Sequence, residues 1–158
     1  MNIRKLVRPV GATAIALSVA AATVVPASAA DNIEAFGKQE LIKDYISGAP
    51  VIGYTAMDLK PSSDVIPYPV HGRLFEATMK IDAPGGWATP LIPLLNARAE
   101  NSQIYPALAG ASTPQSLSGG AVPPGGSSTG KLYFDVVGAD PNSVVYNDGI
   151  RDVLAWVP

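Results

Sequence analysis

The sequence predicts an all-β domain of two packed sheets, and three observations carry that expectation. Beyond residue 29, Gly and Pro make up 27 of 129 residues and are scattered along the chain. They interrupt every stretch long enough for a helix of several turns. Between the interruptions lie short segments in which apolar and polar residues alternate with a period of two, the signature of half-buried strands. Seven or eight such segments fit into about 120 residues, with a turn every 8–12, which is the spacing of a two-sheet sandwich. A closed barrel is the main alternative.

In chain order, Lys38–Tyr45 is expected as the first strand. Val51–Leu59 follows, with Ile52, Tyr54 and Ala56 alternating against Val51, Gly53 and Thr55. Val70–Ile81 is the clearest strand, with Phe75, Ala77, Met79 and Ile81 on one face and Glu76, Thr78 and Lys80 on the other. This is the pattern of an antiparallel strand with one wet face. A hairpin near Glu100-Asn101-Ser102 joins Leu94–Ala99 to Gln103–Ala107, and Lys131–Val137 is a further strand. At the C-terminus Val144-Val145-Tyr146 and Ile150–Val157 flank Asn147-Asp148-Gly149, where Asp-Gly predicts a type I′ turn with positive φ at both residues. Pro61–Pro69, Ala83–Pro93 and Gly110–Gly130 read as loops, the last with the composition of a mobile segment.

Residues 1–29 have the organisation of a secretory signal peptide, leaving residues 30–158 as the domain. Arg4, Lys5 and Arg8 precede an uncharged apolar run from Val10 to Val25, and Ala27-Ser28-Ala29 supplies a small-x-small cleavage site. The run is shorter than the roughly 20 residues a membrane-spanning helix needs. No later run approaches that length, so no membrane span is expected after cleavage. Processing removes three of the 11 basic residues and none of the 13 acidic ones, leaving a mature chain of net charge -5. An acidic chain without a basic cluster gives no case for nucleic acid. The absence of Cys excludes a disulfide scaffold, a thiolate metal site and a cysteine nucleophile.

Each candidate for chemistry has a simpler structural reading. Gly126-Ser127-Ser128-Thr129-Gly130 matches GxSxG, yet Pro123-Pro124-Gly125 precedes it and a strand follows. A nucleophile elbow needs the opposite order, so a flexible loop is expected. His71, the only histidine, shares the core-facing parity of its strand and reads as a structural or surface residue rather than a general base. Asp140, Asp148 and Asp152 gather near the C-terminal hairpin without a DxDxDG calcium loop, and each has a local role in a turn or on a strand's polar side. Thirteen acids make a chance carboxylate pair easy to find. No catalytic residue, cofactor or metal ligand is therefore assigned. Trp87, on the loop Ala83-Pro84-Gly85-Gly86-Trp87, is read first as a cover for one end of the sandwich, with an anchor for a partner or a sugar ring as the alternative. Trp156 is expected in the core.

Three strings carry a family resemblance. They are Asp58–Ser63 running on to Val65–Val70, Ser128–Val136, and Asn147–Trp156, with Asn96-Ala97-Arg98 in support. They resemble the small secreted immunogenic proteins of mycobacteria (the MPT-sixty-three type), in order and over essentially the whole mature chain. The chain departs from that pattern in its Gly-Gly-Trp87 loop and its Pro-Pro-Gly-Gly loop. The resemblance implies an immunoglobulin-like antiparallel β-sandwich without the disulfide of antibody domains, and export to the medium or cell envelope. It supplies no enzyme activity, cofactor or ligand. The expected function is that of a secreted, non-enzymatic, monomeric module binding a protein or glycan partner. A structural envelope component and a carboxylate- or His71-dependent hydrolase are the alternatives.

Overall fold

A computed structural model of the chain describes residues 30–158, so the expected leader, residues 1–29, lies outside the described residues. The strands are β1 (Asn32–Ala35), β2 (Glu40–Lys43), β3 (Pro50–Pro61), β4 (Arg73–Asp82), β5 (Leu95–Arg98), β6 (Ile104–Pro106), β7 (Ser127–Val136), β8 (Ser143–Asn147) and β9 (Asp152–Val157). The two sheets have the orders β2-β3-β4-β7 and β1-β9-β8-β5-β6.

The period-two pattern does what it promises in the long strands. Phe75, Ala77, Met79 and Ile81 of β4, Ile52, Tyr54 and Ala56 of β3, and Leu132, Phe134 and Val136 of β7 are all buried. They face Leu95 and Ala97 of β5, Val144 and Tyr146 of β8, and Leu154 and Trp156 of β9, all in one core. Alternation works because successive side chains leave a strand on opposite faces. The Tyr54 and Tyr146 rings meet across the two sheets at 5.3 Å between centroids, tilted by 40°. Trp156 is fully buried, and its indole N–H donates to the Lys38 carbonyl at 2.9 Å, tying β9 to the segment that enters β2.

Six expectations need correction. The first strand is β1, not Lys38–Tyr45; all four residues of β1 are exposed, so no alternation announced it. It pairs with β9 in parallel, from Asn32↔Leu154 to Ala35↔Val157, so the sheets are not wholly antiparallel. No hairpin joins these two segments, and nothing local dictates their relative direction.

The C-terminal turn is a four-residue loop, 148–151, closed by Asp148 N–H on the Arg151 carbonyl at 3.1 Å. Only Gly149 is left-handed (φ 97°), because the Asp148 carboxylate accepts from the N–H groups of Ile150 and Arg151 and sets the turn itself. Ser127–Gly130 is neither elbow nor flexible loop. It is the start of β7, paired with Met79–Asp82 of β4.

His71 lies before β4 and points to solvent. The strand parity stops at Gly72, which packs so closely that a Cβ there would sit 2.1 Å from the Val136 carbonyl oxygen. Lastly, the 107–126 connection is pinned to β7. Leu117 N–H donates to the Lys131 carbonyl (2.9 Å) and Lys131 N–H to that of Gln115 (2.7 Å).

Trp156→Phe should keep the fold while losing the indole hydrogen bond and leaving a gap in the core. A loss of about 2–4 kcal/mol is expected in urea unfolding, with an unchanged far-UV spectrum.

Candidate binding groove

The outer face of the five-stranded sheet is not a uniform polar surface. Its sequence places Ile33 on β1, Ala155 and Val157 on β9, Val145 on β8 and Ile104 on β6, all on the face away from the core. Ile33, Ala155 and Val145 are neighbours in register across three strands. The result is an open groove of about 360 Å³, with an apolar floor and a polar side formed by Arg98, Glu100, Ser102, Asn142, Ser143 and Asp152. Ile33 and Ile104, at its two sides, are each 54% exposed.

An ion pair crosses this face. Arg98 lies on β5 and Asp152 on β9, with β8 between them. The guanidinium grips Asp152 with both terminal nitrogens, Nη2 to Oδ1 at 2.5 Å and Nη1 to Oδ2. Its Nε donates to Asn96 Oδ1 at 2.9 Å, and Asn147 Nδ2 donates to Asp152 Oδ1 at 2.7 Å. Asp152 was expected on a polar strand face. A register shift beside Asn147 instead turns it into this buried network. With Arg98 and Asp152 cancelling, Glu100 is the one charged side chain of the groove lining without an ion-pair partner.

The other candidates separate in space. His71 Nδ1 lies 3.2 Å from Asp135 Oδ2, and among the described residues no Ser, Thr, Tyr or Lys side chain hydrogen-bonds to either group. Burial acts to raise the Asp135 pKa, but the backbone N–H groups of His71 and Gly72 at 2.9 and 2.8 Å outweigh it and hold the carboxyl below its ordinary range. The Asp135 carboxylate thereby fixes the backbone at residues 71 and 72. Asp140 pairs with Arg73 and Asp148 caps its own turn. Among the described residues no three His, Cys, Asp or Glu side chains gather as metal ligands.

One carboxylate pair does exist, on the outer face of the four-stranded sheet. Lys131 Nζ lies between Asp64 (2.6 Å) and Glu76 (3.0 Å), Tyr133 Oη donates to Asp64 (2.7 Å), and Ser62 Oγ donates to Glu76 (2.5 Å). Hydrogen bonds from Lys131 and then Tyr133 lower the Asp64 pKa, and its carboxylate in turn raises that of Lys131. The nearby cavity that Lys131 and Tyr133 help to line holds about 20 Å³ and includes neither carboxylate.

Sequence reasoning missed the groove because its floor is made of outward-facing Val145 and Ala155. On an alternating pattern these read as accidents of a mostly apolar strand. It also missed Glu40, which is 4% exposed, faces the seam between the two sheets, and has no hydrogen-bond partner for either oxygen. Burial, reinforced by Glu34, pushes its pKa up from 4.5 to about 7, opposed by the nearby Ala155 N–H.

Trp87 does not fold back over the sandwich; it is 70% exposed.

Residues 31–156 match the model of a domain of unknown function, DUF1942. The chain belongs to this family. It is 44% identical over 112 residues to the immunogenic protein MPB63 of Mycobacterium bovis and to the immunogenic protein MPT63 of Mycobacterium tuberculosis, covering 70% of this chain and 70% of each relative. The crystal structure of MPT63, described as a secreted protein of M. tuberculosis, superposes with a TM-score of 0.74 at 38% identity, covering 80% of this chain and 96% of that one. The yjhA protein of Bacillus subtilis shares the fold alone, with a TM-score of 0.53 at 14% identity over 75% of this chain and 84% of its own. The mycobacterial relatives are named as immunogenic proteins and not as enzymes.

Two outcomes test the polar features. Arg98→Met and Asp152→Asn should each cost about 3–5 kcal/mol, since each strands a buried partner, and the double variant should cost less than their sum in a double-mutant cycle. For Glu40 the folded state holds the proton more tightly than the unfolded state. Its contribution is therefore fully present below about pH 4.5 and lost as the pH rises through about 7. Urea unfolding should show stability falling from pH 5 to pH 8, and Glu40→Gln should flatten that slope. The lowered carboxylates Asp44, Asp64, Asp135 and Asp148 titrate below 3.8 and do not offset it.

Proposed function

We propose that the protein is an exported, non-enzymatic binding module. Its groove on the five-stranded sheet takes an apolar segment of a partner protein that carries a basic group beside it. The observation that carries this reading is the open groove whose apolar lining, Ile33, Ile104, Val145, Ala155 and Val157, is flanked by polar residues. Concave apolar sites with a few placed polar groups are where ligands bind. The apolar floor favours an apolar protein segment, and Glu100, whose side chain has no ion-pair partner in the lining, favours a basic group beside it.

Export is supported by the Ala27-Ser28-Ala29 site and by the secreted character of MPT63. Among the described residues no helix is long and apolar enough to cross a membrane. N-terminal sequencing of protein recovered from the medium should begin at Ala30; a leader retained on that protein would refute the processing.

The groove is tested by Ala155→Phe, which fills it from the face away from the core. Apolar peptides carrying one Lys or Arg should shift the NMR signals of Ile33, Ile104 and Val145. Ala155→Phe should abolish those shifts at an unchanged melting temperature. Equal binding by the filled variant, or shifts produced by oligosaccharides alone, would overturn the assignment.

A further inference from the structure

Strand direction gathers one set of connections at one end of the sandwich: 44–49 after β2, 83–91 after β4, 118–126 before β7 and 148–151 after β8. Ala88 and Val122 exchange backbone hydrogen bonds of 3.0 and 2.7 Å, which joins two of these stretches. Leu91 N–H reaches Tyr54 Oη, and Tyr54 packs on Tyr146, so the 148–151 loop shares that end.

Four apolar side chains there touch almost nothing of their own protein. Tyr45 is 100% exposed, Ile46 93%, Ile150 92% and Trp87 70%. Their presentation is not slack. Asp44 Oδ1 accepts from the N–H groups of Ile46 (3.2 Å) and Ser47 (2.8 Å). Asp148 Oδ1 accepts from those of Ile150 (2.8 Å) and Arg151 (2.9 Å). Two separate loops thus repeat one Asp-x-Ile-x cap, each fixing an isoleucine two residues after the aspartate and pointing it into water. Trp87 stands on a loop held by the Ala88–Val122 pair and by Gly85, where a Cβ would lie 2.5 Å from the Pro50 carbonyl oxygen.

Charge at this end is sparse and mixed: Asp44 and Asp148 cap their own turns, Lys43 stands at the end of β2, Arg151 pairs with Asp31 at 2.9 Å, and residues 83–91 and 118–126 contain no charged side chain. No basic cluster exists to draw in an anionic surface.

We propose that this end of the sandwich docks on a neutral lipid surface, with Tyr45, Ile46, Trp87 and Ile150 as the inserted tips. Exposed apolar residues gathered in one place mark interaction sites. A flat protein interface is made of side chains that shield one another, whereas isolated, fully bare tips suit a compliant phase that closes around each. Tyr and Trp favour the headgroup level. The two isoleucines have no part in stacking a sugar ring, which disfavours a glycan.

The test uses residues 30–158, from which both sheets and the core between them are built. Trp87 and Trp156 are the only tryptophans, one exposed and one buried, so fluorescence separates docking from folding. With phosphatidylcholine vesicles the Trp87 emission should shift to the blue. The shift should persist in high salt and be no larger on phosphatidylglycerol vesicles. Trp87→Phe should silence the shift while vesicle co-sedimentation remains. Ile46→Asn with Ile150→Asn should raise the half-saturating lipid concentration at least tenfold, with the buried Trp156 emission intact. Absence of binding, salt-sensitive binding confined to anionic vesicles, undiminished binding by the double variant, or shielding of Trp87 by a protein partner and not by lipid would overturn the proposal.

Discussion

Everything in this molecule depends on holding two sheets face to face without a covalent link. The hydrogen bond from the Trp156 indole to the Lys38 carbonyl is where that constraint is met most directly. Trp156 belongs to one sheet, and Lys38 lies on the crossing that leads into the other. The indole is fully buried and gives its only polar atom to the Lys38 backbone carbonyl. The Tyr54–Tyr146 contact repeats the device in the opposite chain direction. With large aromatics bridging the layers, small residues suffice elsewhere: Ala56, Ala77 and Ala97 are fully buried and let the sheets approach.

Polar groups off the core serve different ends. The Arg98–Asp152 pair straps three strands of the five-stranded sheet from outside, with Asn96 accepting from the guanidinium and Asn147 donating to the carboxylate. Such a hydrogen-bonded pair fixes register more than it adds stability. The Lys131 cluster does the same on the opposite outer face, holding the 62–72 connection against β7. Glu40 is the exception, a carboxyl in the seam with no partner. The contrast shows which buried charges the fold has provided for and which it tolerates.

Much of the architecture was legible because long antiparallel strands write their burial into alternate residues. Ile52, Tyr54 and Ala56 and the set Phe75, Ala77, Met79 and Ile81 gave correct core faces, a register shift breaks the alternation of β3 after Met57, and Glu100–Ser102 marked a real hairpin, with Ser102 at positive φ. What failed was non-local. Asn32–Ala35 is fully exposed and becomes a strand only because β9 lies beside it. Ser127–Gly130 has loop composition and is a strand because β4 extends far enough to pair with it. The groove was illegible for the same reason: Ile33, Val145 and Ala155 are distant in the chain, and only sheet order makes them one floor. Trp87 was visible as a residue but not as an exposed one, since burial of a loop aromatic is decided by what happens to pack over it.

The parallel pairing of β1 with β9 sets an order of events. The first strand to emerge, whether from a ribosome or through an export channel, has as its only sheet partner the last six-residue strand of the chain. Trp156, which bridges the layers, arrives two residues before the end. Contacts of such long sequence separation must wait for the whole chain. Until β9 is available, the five-stranded sheet has neither its β1 edge nor its bridging aromatic, so the sandwich closes only after two segments far apart in the chain have met.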